Sequence, residues 1–60
     1  MSSYDTAPVV PHDRRIGDAY VAGVTGARNG DPLTANPYYE HTEEWVAYES
    51  GWRDEMARQS

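Results

Sequence analysis

Two histidines, ten carboxylates, five arginines and seven aromatic rings are the side chains of this 60-residue chain that could do chemistry. A metal site would have to use the histidines, because cysteine is absent and thiolate ligands and disulfides go with it. His12 and His41 stand far apart, and no H-x-x-x-H pair sets two imidazoles on one helix face. Acid/base catalysis would have to use Glu43–Glu44 or Asp54–Glu55. A helix turns such neighbours about 100° apart, so they read as solvated faces rather than a working pair. "GVTGARNG" lacks the lysine–serine end of a phosphate loop, and the chain has no lysine at all. No strand precedes "GDAYVAG", so it is not a dinucleotide fingerprint. Serine, histidine and aspartate all occur, but no spacing positions a nucleophile, and so short a chain has little means of excluding water. The expectation is a protein that is not an enzyme, with no cofactor and no metal.

The charge balance narrows the partners. Net charge is −5. Phosphate contacts need clustered cations, so direct RNA binding is disfavoured, and an anionic membrane surface is disfavoured equally. No apolar run approaches the roughly 20 residues of a spanning helix. "MSSYDTAPVV" has neither the basic region nor the apolar stretch of a signal peptide. A cytoplasmic location is expected.

These side chains must be positioned by very little structure. A chain of this length buries only about 60% of its unfolded surface. It has one leucine, one isoleucine and no phenylalanine, so tyrosine and tryptophan must supply the bulk. An aromatic-stapled fold results, or one completed by self-association or a partner. Pro8 and Pro11 mark residues 1–11 as a disordered tail. Residues 12–60 then form a single two-helix domain.

The first helix is expected near 13–28, with Asp13 as N-cap and Asn29–Gly30 as the stop. Ile16, Ala19, Tyr20, Gly23, Val24 and Ala27 recur at three- and four-residue steps, which is one helical stripe. Ala19, Gly23 and Ala27 make it smooth enough for close approach. Asp31-Pro32 and Asn36-Pro37 bar helix across the connection, where Leu33 and Tyr38 are the inward anchors. The second helix is expected near 42–58, capped by Thr42, with Glu43 and Glu44 in its first turn. Trp45, Tyr48, Trp52 and Met56 share a face, and Glu49 and Arg53 are spaced as a helical ion pair. Gly51 would give Trp52 room to press on the first helix and become the more buried indole. No internal repeat stands out. The fold class is all-α: a helical hairpin joined by a proline-containing linker. On the proposed strip, Gly23→Leu should cost more stability than Gly17→Leu.

"AYVAGVTG … NPYY … EEW … GWRDEMA" resembles the ribosome modulation factor family. That family pairs a "Y-x-A-G-x-x-G" helix with a later "P-Y … W … G-W-R … M-A" helix. Here the matching residues are Tyr20, Ala22, Gly23 and Gly26, then Pro37, Tyr38, Trp45, Gly51, Trp52, Arg53, Met56 and Ala57. The resemblance spans roughly residues 14 to 58 and takes in relatives associated with plasmid-borne fluoroquinolone resistance. It implies two linked helices and binding to the small ribosomal subunit near the messenger exit. Ribosome-binding members are strongly basic, whereas this chain is acidic, and its tryptophans are spaced wider.

Two functions follow. In the first, a ribosome-associated regulatory protein engages its partner through Arg14, Arg15, Tyr20, Arg28, Tyr38, Trp45 and Arg53. Gly23, Gly26, Pro37, Gly51, Trp52 and Met56 are then structural. In the second, an acidic protein-binding module of phage or plasmid origin presents Glu40, Glu43, Glu44, Asp54 and Glu55 to a basic surface of a host protein. A third reading, a drug-modifying enzyme by analogy with the resistance-associated members, has no phosphate-binding residues behind it. The arginines bracketing the first helix predict a locally positive end beside a broad negative side. Arginines segregated on one face would favour the ribosomal reading.

Overall fold

The computed structural model describes residues 12–60, and the tail expected over 1–11 lies outside that range. Two α-helices, α1 (His12–Arg28) and α2 (Glu43–Gln59), are joined by a connection containing one 3₁₀ turn, Leu33–Ala35. No strand occurs among the described residues. The fold is all-α, and the two helices pack directly on each other across the connection that joins them.

Local signals set the helix ends. Thr42, in extended geometry, caps α2: its Oγ1 accepts the Trp45 N–H at 3.1 Å. Glu43 and Glu44 follow in the first turn, where carboxylates suit the helix dipole. α1 stops at a Schellman motif. Gly30 takes φ 82°, its N–H reaches Ala27 O at 3.1 Å, and the Asp31 N–H reaches Gly26 O at 2.9 Å. The start of α1 differs from expectation. The helix begins at His12, so Asp13 lies inside the first turn, where its carboxylate meets the dipole, rather than at the cap.

The two helices meet backbone to backbone. A Cβ built on Gly23 would lie 2.0 Å from the Tyr48 carbonyl oxygen, and one built on Gly51 would lie 2.1 Å from that of Tyr20. In glycine a hydrogen points along that direction instead, which is the arrangement of a Cα–H···O contact between helices. The contact is reciprocal. It is made by "AYVAG" (19–23) on α1 and "AYESG" (47–51) on α2. In each, a tyrosine offers its carbonyl to the glycine of the other. The sequence therefore carries a short echo that its linear reading passed over. Ala19 and Ala47, one turn before each glycine, are buried with them.

This crossing turns α2 away from the expected face. The residues it buries are Ala47, Tyr48, Gly51 and Glu55. That stripe is about a quarter turn from the Trp45–Trp52–Met56 stripe. Met56, expected to be structural, is 40% exposed. Trp45 and Trp52 are both half-buried, and Tyr48, at 4%, is the buried aromatic. Tyr48 lies over the third glycine: a Cβ on Gly26 would sit 2.5 Å from its hydroxyl. The cause is steric. Close approach is decided by the smallest residues, so glycine and alanine take the interface and the indoles are left at its edge.

The helices are paired start to start. Ile16 shares a cleft with Val46 and Ala47 at one end, while Arg28 bonds Glu55 at the other. The connection must therefore double back along α2, and the indole edge is what receives it. Trp52 Nε1–H donates to Asp31 O at 2.8 Å, Asn36 Nδ2 donates to Trp45 O at 3.1 Å, and the Tyr38 ring sets its edge against Tyr48. Trp52 thus holds the connection through its indole N–H. Leu33 and Tyr38 are half-buried and Pro37 is exposed.

Gly17, with nothing within 4 Å of its added Cβ, isolates the crossing from plain helix propensity. Gly17→Ala is expected to stabilise by about 0.5–1 kcal/mol. Gly23→Ala, which drives Cβ into a backbone carbonyl, is expected to destabilise by about 1–3 kcal/mol. Urea melts of the two variants check the sign of each, and Gly23→Leu should fall further still. Gly26→Ala collides only with the end of the Tyr48 side chain. It should therefore cost clearly less in a Tyr48→Phe background than alone, a coupling that a double-mutant cycle of melts measures.

Candidate binding surface

The doubled-back connection and the outer edge of α2 form a cleft of about 330 Å³. Leu33, Asn36, Tyr38 and Glu40 line it from the connection, and Trp45 and Glu49 from the helix. Its shape is held by hydrogen bonds. Asn36 accepts the Tyr38 N–H through Oδ1 at 3.0 Å while donating to Trp45 O. Thr42 Oγ1 donates to Tyr39 O at 2.7 Å while capping α2. His41, at φ 70°, tilts its ring onto Trp45 with centroids 5.4 Å apart. A second cleft, about 280 Å³, lies at the start of both helices between Ile16, His41, Glu43 and Val46.

Most of the arginines are held by the chain's own acids. Arg28 Nε donates to Glu55 Oε2 at 3.3 Å. Arg58 lies 3.6 Å from the other oxygen of Glu55, and Arg53 donates to Glu49 at 3.3 Å. Arg14 and Arg15 are exposed on the first turn of α1 and form no ion pair with a described residue. Start-to-start pairing puts them at the same end of the fold as Glu43, and puts Arg28 at the other. The arginines are therefore divided between the two ends of the fold, and each end also carries a glutamate.

The sequence places Glu55 among the presented acids. It is instead buried, at 6% exposure. A hydrogen bond from Gln59 does most to hold its carboxyl below the ordinary value; burial opposes, and Arg28 and Arg58 add to the lowering. Its contribution to stability is thus present above the usual carboxylate range and lost as pH falls through the lowered value. The Glu55–Arg58 spacing of three was a readable signal for this clamp. Asp54 is engaged too: it accepts a short hydrogen bond from the Tyr20 hydroxyl. Tyr20, expected among the partner-binding residues, is half-buried and committed to that bond. Tyr38 and Trp45 keep part of their rings at the cleft, and Glu40 stays exposed at its rim.

Among the described residues no helix is long and apolar enough to cross a membrane, and no group of three or more acids and histidines could hold a metal ion. No protein family, no curated protein and no solved structure matches the chain.

The Tyr20–Asp54 bond predicts an alkaline response. Donating to Asp54 raises the Tyr20 hydroxyl above the tyrosine value of 10.0, with burial and the Asp54 charge adding to it. The unfolded chain therefore releases this proton at lower pH than the folded one. The stabilisation is complete below 10.0 and is lost as pH rises through the folded value. Tyr48, raised chiefly by burial, acts in the same direction. Tyr20→Phe should accordingly flatten the decline in melting temperature between about pH 8 and 11, leaving the Tyr48 share.

Proposed function

We propose that the chain is a small regulatory protein of the ribosome modulation factor type. It acts by binding, without catalysis, in the cytoplasm, and reaches the ribosome through a protein surface rather than bare RNA. One observation carries the reading. Several residues behind the resemblance build the fold: Gly23 and Gly51 meet the opposite backbone, Gly26 lies under Tyr48, and Trp52 and Tyr38 hold the connection, while Pro37, Arg53, Met56 and Ala57 of the same motif are exposed. A motif that is itself the folding unit supports kinship better than shared surface residues do.

The charge pattern supports the choice of contact. Arg28, Arg53 and Arg58 each pair with Glu49 or Glu55 of the chain itself, which offsets their charge and leaves Arg14 and Arg15 as the cations without an ion pair to a described residue. The same pattern favours the second reading, an acidic module that binds a basic surface of a host protein without any ribosome.

Sedimentation of a bacterial lysate through a sucrose gradient separates the two. Association with the small subunit that survives 1 M salt poorly but does not require Arg14 and Arg15 supports contact with ribosomal protein, because exposed charge contacts are screened over about 3 Å in such salt. Migration away from all ribosomal fractions would leave the host-protein module. Tight binding to ribosomal RNA fragments at low salt, lost in Arg14→Ala/Arg15→Ala, would establish direct RNA contact instead.

A further inference from the structure

We propose that the cleft between the connection and α2 is a receptor for a single arginine side chain from a basic protein segment. This rests on the reading of the chain as a binding protein, and names the chemistry of the contact. Among the described residues, Glu40 and Glu49 are the charged ones lining the cleft, and both are carboxylates. Two half-buried aromatic residues, Tyr38 and Trp45, form its walls. A guanidinium is planar, always charged and weakly hydrated. It stacks on aromatic faces and takes carboxylates through a fork of N–H donors. A cleft of about 330 Å³ lies at the small end of ligand sites and suits one side chain better than a folded element. Thr34 and Asn36 are neutral polar residues of the lining, and Asn36 commits its amide oxygen to the Tyr38 N–H and one N–H to Trp45 O, so the carboxylates set the charge preference of the cleft.

The chain provides its own competitor. Arg53 bonds Glu49 from outside the cleft through a long, exposed contact of 3.3 Å. Such a pair is weak and exchangeable. An incoming arginine must compete for that carboxylate, so removing Arg53 should strengthen binding. This sign sets the cleft apart from the ribosomal contact inferred from sequence, in which Arg53 is itself a binding residue and its loss weakens association.

The test is a ¹⁵N NMR titration of the full chain with N-acetyl-arginine methylamide, with the isosteric citrulline compound as the uncharged control. Saturable shifts are expected at the Trp45 indole N–H and the Asn36 side-chain amide with arginine, and not with citrulline. Glu40→Gln and Glu49→Gln should each weaken binding about two- to fivefold, and Arg53→Ala should tighten it by a similar factor. Equal shifts with citrulline, shifts centred on the Ile16–Val46 cleft, or weaker binding by Arg53→Ala would overturn the proposal. Should a variant fail to fold, the arginine–citrulline comparison on the unaltered chain decides alone. Arginine binding by a chain that shows no ribosome association would leave the cleft standing and remove the ribosomal reading. Ribosome association with no arginine response would do the reverse.

Discussion

The approach of two helix backbones at Gly23 and Gly51 sets the rest of the structure. Each glycine lies against a tyrosine carbonyl of the other helix, at a separation that no side chain could share. Once that contact is made, the register of the helices is fixed. Tyr48 falls over Gly26 and becomes the buried ring, and Tyr20 falls beside Asp54. The core is correspondingly thin: Ala19, Ala27, Ala47 and Tyr48 are its buried apolar residues. Glycines that would weaken an isolated helix are here the condition for joining two. The loss of helix propensity is offset by dispersion and Cα–H···O contacts that only a close crossing provides.

The tryptophans find their place as a consequence. With the interface occupied by small residues, both indoles lie along its edge, on the side where the connection returns. Start-to-start pairing obliges residues 29–42 to travel back along α2. Trp52 anchors the beginning of that path at Asp31 and the Trp45 carbonyl anchors its middle through Asn36. Two tryptophans two turns apart are thus spaced to match the returning strand of chain rather than to fill a core. That path also leaves a cleft between itself and the helix, so the cleft is a by-product of how the helices are joined.

What could be read from the sequence was local. Thr42, Asn29–Gly30 and the two X-Pro pairs mark the ends of elements through interactions within a few residues, and the helix bounds followed to within one position. The smooth strip on α1 was legible for the same reason. The face of α2 was not, because hydrophobic periodicity weights the largest residues, whereas this contact selects the smallest. Ala47 and Gly51 were therefore outweighed by Trp45, Trp52 and Met56. The paired "AYxxG" segments are too short to stand out until the fold sets one upon the other. Tyr38 and Trp45, named from sequence as partner-binding candidates, line one cleft, but the fate of the acids was not legible. Whether Glu55 faces solvent or Arg28 depends on the helix pairing, a long-range property that no window of sequence contains.

That dependence bears on how an acidic chain can belong with partners of basic ones. Whole-chain charge describes the field at a distance, and binding at contact depends on which charges remain unspent. Here Glu55 is consumed by Arg28 and Arg58, Asp54 by Tyr20, and Glu49 only in part by Arg53. The engaged acids lie along the helix pair toward its far end, while Glu40 and the open side of Glu49 flank the aromatic cleft. Part of the remaining negative charge, on Glu40 and Glu49, therefore borders a concave surface with aromatic walls. A basic protein segment would be drawn by the field and then held by a cleft whose charge and shape suit its commonest planar cation. Bare RNA would meet the same field as repulsion.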